Sequence, residues 1–242
     1  MIPPRATLPR LPRRVPLSNL IDVWRIDLRG VVDPDERLAV LSEQERSRAA
    51  RFVSDSPRRA FIMARSAMRA ILSQYVAATP QALRLSSTRR GKPFLVDYEN
   101  VNFNLSHSHN VAALAVVTST QRIGVDIEKL GRIPEGVTAE AFSPAEIRRI
   151  EMAANPTASF FAHWTMKEAY LKANGEGLHV PLRSVRVAPG APQRIGDLVV
   201  SEFDFCDGFA AAIAIDNAST ESIPSLTIRD WSSASALNAA AS

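Results

Sequence analysis

The stretch IGVDIEK (residues 123–129) has the β-branched alternation of a strand, with Val125 and Ile127 facing one side. Asp126 and Glu128 then share the other side, roughly 7 Å apart, and aim their oxygens at one point. Further along, PTASFFAHWTMKEAYLKANGEG (156–177) reads as a helix, with Pro156 suited to its first turn and Gly175 to its exit. Trp164, Glu168 and Lys172 are spaced i, i+4, i+8 and fall on one helix face. Glu168 can close a three-carboxylate cage with Asp126 and Glu128, and Lys172 lies one turn on, placed for an anion. An all-oxygen site of this kind suits Mg²⁺ or Mn²⁺; magnesium keeps several waters and takes further oxygens from substrate phosphates. Two acids at i, i+2 also occur on solvated strand faces, so the pair by itself does not decide between the two.

Outward from this pair the chain mixes helix with antiparallel strand, which gives an α+β expectation. LIDVWRIDL (20–28) reads as a strand, and helices are expected near 42–53 and 58–76. Strands follow near 101–104, 111–118 and 123–129, and helices near 143–153 and 157–174. Later strands are expected near 184–188, 197–205, 208–216 and 226–231. A polar connection at TSTQRIG (118–124) places a boundary near residue 122. The expected organisation is a flexible Pro/Arg-rich leader (1–19), a first subdomain (20–122), a second (123–231) and a disordered tail (232–242).

Charge is unevenly spread. Residues 21–122 carry 15 basic and 10 acidic residues, whereas 123–242 carry 10 basic and 15 acidic. A basic half beside an acidic half suits a polyphosphate on one and a cation on the other; unpatterned solvated faces would give the same counts. Arg46, Arg48, Arg51, Arg58, Arg59, Arg65 and Arg69 concentrate the basic charge. Cys206 is the only cysteine, which excludes an intrachain disulfide and a cysteine metal site. No apolar run reaches transmembrane length and the start has no apolar signal core, so the expectation is a cytoplasmic protein with no membrane partner.

Four blocks occur in order: RRGKPFL (89–95), FNLSHSHN (103–110), GVDIEK (124–129) and WTMKEAYLK (164–172). Together they resemble the sequence blocks of Sfp-type 4′-phosphopantetheinyl transferases, over roughly residues 41–215. The resemblance implies two similarly folded subdomains related by a pseudo-two-fold axis, with coenzyme A in the cleft between them. It implies transfer of the phosphopantetheine arm of coenzyme A to a serine of an apo acyl or peptidyl carrier protein, with release of 3′,5′-ADP, by a monomer. By the same analogy Asp126, Glu128 and Glu168 hold Mg²⁺ against the pyrophosphate. Glu168 is the favoured general base, with a water relay as the alternative, and Lys172 neutralises pyrophosphate charge. Lys92, Ser106 and His107 would hold coenzyme A phosphates. Arg48 is the best-aligned upstream arginine by its spacing to Phe52, followed by Arg51 and Arg59. Lys167 is either a solvated helix lysine or a second anion contact.

Three rivals remain open at this point. Arginine-rich faces bind phosphate backbones, but no nucleic-acid module is recognisable and three carboxylates would go unexplained. A Mg²⁺-dependent phosphodiester or pyrophosphate hydrolase explains the carboxylates but not the four blocks together. A catalytically dead carrier-binding relative is disfavoured by the intact Asp126, Glu128, Glu168 and Lys172. The linker GRIPEGVTAEAFSPAEIRRIEMA (131–153) is a candidate docking element, with Phe142 and Ile147 either exposed for that purpose or part of the core.

Overall fold

The computed structural model describes residues 20–29, 34–175, 180–216 and 222–232. The expected leader (1–19) and the tail beyond Ser232 lie outside the described residues. The elements are β1 (Ile21–Asp27), α1 (Pro34–Arg37), α2 (Glu43–Ala50), α3 (Asp55–Leu72), β2 (Leu85–Ser87), β3 (Pro93–Leu95), β4 (Asn102–Ser108), β5 (Val111–Val117), β6 (Ile123–Lys129), α4 (Val137–Ala141), α5 (Pro144–Met152), α6 (Pro156–Asn174), β7 (Gln193–Ile195), β8 (Leu198–Glu202), β9 (Phe209–Asp216) and β10 (Leu226–Trp231). The α+β expectation agrees with this mixture. Among the described residues no helix is long and apolar enough to cross a membrane.

Helix boundaries follow local chemistry. Ser42 and Glu45 form a reciprocal capping box on α2, and Ser143 and Glu146 do the same on α5. On α6, the Asn155 side chain accepts from the Ala158 amide, Pro156 opens the first turn, and Gly175 closes the helix at φ 70°. α3 begins at Asp55, before the expected 58, because Pro57 sits in the first turn, where no intrahelical donor is needed.

Two four-stranded sheets carry the fold, in the orders β10-β1-β5-β4 and β6-β9-β8-β7, with β2 and β3 as a separate hairpin. In each, a strand leads through helices to an antiparallel pair, and the first strand lies beside the last: β1-β5-β4 and β6-β9-β8. Ile21, Val23, Ala113 and Ala115 of one sheet share a core with Val125, Ile127, Ile213 and Ile215 of the other. α3 covers the opposite face of the first sheet through Met63, Ala67, Met68 and Ile71. α6 covers the opposite face of the second through Met166, Ala169 and Ala173. Each buried Val, Ile or Leu contributes about 1.5–3 kcal/mol to this packing.

Three sequence expectations change. The strand at 226–231 was assigned to the second half, yet β10 pairs in parallel with β1 from Ile21↔Leu226 to Ile26↔Trp231, so the chain returns to its first sheet. No strand forms at 184–188: Val185 and Val187 are buried, but the Val187 amide donates to Glu146 Oε1 at 3.0 Å rather than to a neighbouring strand. The strand expected at 101–104 spans Asn102–Ser108, which places Ser106 and His107 inside β4.

Candidate active site

β6 and α6 meet because Gly124 has no side chain. A Cβ there would lie 2.2 Å from the Ala169 carbonyl oxygen and 2.3 Å from the Ala173 nitrogen. Gly124, Asp126 and Glu128 share a strand face by the two-residue period. The close approach at Gly124 therefore brings the Glu168–Lys172 face of α6 over the two strand carboxylates. Lys172 Nζ donates to Asp126 Oδ1 at 2.5 Å and to Ser106 Oγ at 3.0 Å. Asp126 is 2 % exposed.

β4 supports β6 from the other side through side chains. The Val125 amide donates to Asn104 Oδ1 at 2.9 Å, Ile127 to Ser106 Oγ at 3.4 Å, and Lys129 to Ser108 Oγ at 3.1 Å. β6 pairs with β9 on its far edge, so these three amides point away from that ladder and need other acceptors. Two of the three hydroxyl or amide groups then reach the acids: Ser106 donates to Asp126 Oδ1 at 2.7 Å and Ser108 to Glu128 Oε2 at 2.8 Å.

The electrostatics match three acids sharing one space. Burial pushes Glu168 up from the ordinary carboxylate range, and the charges of Asp126 and Glu128 push it further against the pull of Lys172. Burial and Asp126 likewise raise Glu128, although the Ser108 hydroxyl and Lys172 oppose this. His107 faces solvent on one side but is crowded on the other; that burial, with the Lys172 ammonium, holds its imidazole below the usual value against Asp126.

The three-carboxylate cage is not closed as the side chains stand. Among the described residues no group of three His, Cys, Asp or Glu side chains is placed to hold a metal ion. Lys172 and Ser106 occupy Asp126 Oδ1, and Ser108 occupies one oxygen of Glu128. The donor set nevertheless fits a hard cation. Asp126 Oδ2 is buried with no hydrogen-bond partner, an arrangement that costs about 1–3 kcal/mol unless something binds there. Magnesium requires only one or two protein carboxylates when a substrate supplies phosphate oxygens.

Several sequence candidates have other tasks. The single Ser106 hydroxyl proton goes to Asp126, so Ser106 orients that acid instead of donating to a phosphate. Lys92 Nζ donates to the carbonyls of Ile123 and Ala173 at 2.9 and 2.8 Å, tying the β2–β3 hairpin to the start of β6 and the end of α6. Burial, aided by the Arg122 charge, pushes it down to about 8; a neutral amine still has two protons for the two carbonyls. Lys92→Met is therefore expected to lower the melting temperature by several degrees, since a structural tie is worth about 1–3 kcal/mol. An unchanged melting temperature in thermal unfolding would show that Lys92 is not such a tie.

Lys167 is neither solvated nor an anion contact. It is fully buried, and Nζ donates to Ala141 O, Glu146 Oε2 and Leu182 O at 2.9, 2.9 and 3.1 Å, which uses all three ammonium protons. Phe142 is buried against Phe160, with ring centroids 5.1 Å apart, so it belongs to the core; Trp164 stacks on Phe160 as a packing residue. The arginine cluster divides. Arg69 and Arg65 pair with Glu45, Arg58 pairs with Asp35, and Arg46 donates to the Leu41 carbonyl. Arg48, Arg51 and Arg59 are exposed, Arg48 with its guanidinium 5.2 Å from the Phe61 ring centroid.

Sequence reading passed over Asn104, Ser108, Gly124 and Glu146. Asn104, Ser106 and Ser108 follow the two-residue period of a strand, and Ser143-x-x-Glu146 is a capping-box spelling, so both signals were present.

Comparison with known proteins agrees with this architecture. A sequence model of the 4′-phosphopantetheinyl transferase superfamily matches residues 122–214, and one of the 4′-phosphopantetheinyl transferase N-terminal region matches residues 34–119. The 4′-phosphopantetheinyl transferase HetI of Nostoc sp. is 35 % identical over 201 residues, covering 78 % of this chain and 83 % of that protein. The 4′-phosphopantetheinyl transferase Sfp of Bacillus subtilis is 28 % identical over 152 residues, covering 62 % and 67 %. The L-aminoadipate-semialdehyde dehydrogenase-phosphopantetheinyl transferase of Mus musculus is 31 % identical over 153 residues, covering 57 % and 49 %. The matched regions take in β4 and β5 of the first sheet, the strands of the second and both arms of the carboxylate site, and the chain belongs to the 4′-phosphopantetheinyl transferase family of enzymes.

Proposed function

We propose that this enzyme moves the 4′-phosphopantetheine group of coenzyme A to a serine of an apo acyl or peptidyl carrier protein, releasing 3′,5′-ADP. The observation that carries the reading is the meeting of Asp126 and Glu128 on β6 with the Glu168–Lys172 face of α6, one buried aspartate oxygen being left without a partner. The repeated β1-β5-β4 and β6-β9-β8 connectivity supports two subdomains related by a pseudo-two-fold axis, with coenzyme A in the cleft between them. The reaction takes place in the cytoplasm, and the enzyme works as a monomer.

Asp126 through Oδ2, Glu128 and Glu168 would hold Mg²⁺ or, in its place, Mn²⁺. The ion would polarise the reacting phosphorus and offset charge on the departing diphosphate end. The carrier serine oxygen forms a bond to the phosphorus of the pantetheine phosphate, and the bond from that phosphorus to the 3′,5′-ADP oxygen breaks. Glu168 takes the serine proton, directly or through a water that relays it. Lys172 leaves Asp126 to meet the pyrophosphate as negative charge arrives. His107 and the exposed Arg48, Arg51 and Arg59 supply further contacts to the phosphates of coenzyme A. Positioning and charge stabilisation suffice for this class of reaction.

The test is intact-mass analysis of an apo carrier protein incubated with the enzyme, coenzyme A and Mg²⁺. One added phosphopantetheine group, absent with EDTA, is the expected result; no addition on any carrier class would overturn the reading. Asp126→Ala is expected to reduce transfer on the order of 10²–10³-fold, the scale of removing one electrostatic anchor from a transition-state site. Full Mg²⁺-dependent activity in that variant, measured by the same mass shift, would contradict the metal assignment.

A further inference from the structure

We infer that Ser108 is a positioning residue that fixes Glu128 for the cation, a role that rests on the proposed transferase reading. The hydroxyl is buried and has one proton and two acceptor lone pairs. It accepts from the Lys129 amide at 3.1 Å, donates to Glu128 Oε2 at 2.8 Å, and lies 3.3 Å from His109 Nδ1. The amide fixes the hydroxyl from one side. The shorter contact to Glu128 takes the proton, so the His109 ring nitrogen is left as a donor or a distant neighbour. His109 reaches this place from the two-residue β4–β5 turn, where its φ of 53° lies in the left-handed region.

The consequence is an asymmetric carboxylate. One oxygen of Glu128 is tethered to β4, and the other is left for the site it shares with Glu168. A glutamate side chain has three rotatable bonds, and a free one would have to be ordered each time the cation bound. The tether supplies that order beforehand. Groups that orient a metal-binding carboxylate typically change metal affinity about 10–100-fold when removed. Asn104 supplies the internal contrast: it caps the Val125 amide in the same ladder but touches neither acid.

The experiment compares wild type, Ser108→Ala, Ser108→Thr and Asn104→Ala by Mn²⁺ titration, read as thermal shift without coenzyme A and as the metal midpoint of carrier modification. Ser108→Ala is expected to raise both midpoints about tenfold with kcat at saturating metal nearly unchanged, and Ser108→Thr to restore them. Asn104→Ala is expected to lower the melting temperature without moving the metal midpoint. Equal midpoints in wild type and Ser108→Ala would overturn the positioning role and leave the transferase reading standing. Equal shifts in Ser108→Ala and Asn104→Ala would overturn it too, as general loosening of β6. A wild type with no metal response in either readout would overturn the metal reading and the Ser108 role together.

Discussion

Gly124→Ala is expected to slow transfer about 10²-fold and weaken the fold at once. The new methyl carbon would stand 2.2 Å from the Ala169 carbonyl oxygen and 2.3 Å from the Ala173 nitrogen, both backbone atoms of α6. A backbone clash cannot be relieved by a rotamer change, so strand and helix must separate. Overpacking of this kind costs about 1–3 kcal/mol and occasionally more. The effect on chemistry is larger than that figure implies. Glu168 immediately precedes Ala169, and Lys172 immediately precedes Ala173. Moving α6 by an ångström shifts Glu168 and Lys172 together relative to Asp126 and Glu128, and the 2.5 Å resting contact from Lys172 to Asp126 is lost with it. Misplacement on that scale can cost about 10²-fold in rate. The measurement is carrier modification together with thermal unfolding. Gly131→Ala is the control, because a Cβ there meets nothing closer than 4.0 Å and should be silent in both. Activity within a few-fold of wild type in Gly124→Ala would show that α6 need not touch β6.

The contrast between Gly124 and Asp126 explains what the sequence reveals. The acids and the helix spacing were legible because the side-chain period of an element follows from its own residues. Asp126, Glu128, Glu168 and Lys172 could therefore be placed on facing surfaces before any tertiary structure was known. The partners of a donor are not legible in this way. Lys92, Lys167 and Ser106 have the chemistry of phosphate contacts, yet each donates to protein acceptors that come from distant segments: Ile123 and Ala173, Glu146 and Leu182, and Asp126. The return of β10 to β1 was hidden for the same reason. A strand pattern at 226–231 fixes extended structure, but the sheet that accepts it is decided by which edge is open.

The Glu146–Lys167 pair gives the largest expected change in stability. Glu146 is 2 % exposed and Lys167 is fully buried. The two respond differently to their shared environment. Burial pushes Glu146 up, but the Val187 and Ser143 amides, Lys167 and the Ser143 hydroxyl outweigh it and hold the carboxylate below its ordinary range. Lys167 is also held below its ordinary value, because burial of the ammonium outweighs the pull of Glu146. The pair is thus a well-bonded anion that makes a poorly solvated cation tolerable. Removing the anion alone leaves that cation stranded, and Glu146→Ala is expected to cost about 3–5 kcal/mol. The Val187 amide and the α5 cap lose their acceptor as well. Adding Lys167→Met to Glu146→Ala should recover part of the loss, because no buried charge then remains. The pH dependence has a definite sign. A carboxylate held below its unfolded value contributes stability above that unfolded value and loses it as pH falls through the folded one. A lysine held below its unfolded value costs stability while protonated, and that cost is relieved as pH rises through its folded value. The deficit of Glu146→Ala should therefore be deepest near neutral pH and shrink toward both acid and alkali. Urea unfolding of the three proteins across that range is the check. A deficit under about 1 kcal/mol at neutral pH, or a double variant no more stable than the single one, would show that Lys167 finds other solvation and that the pair does not hold α5 to α6.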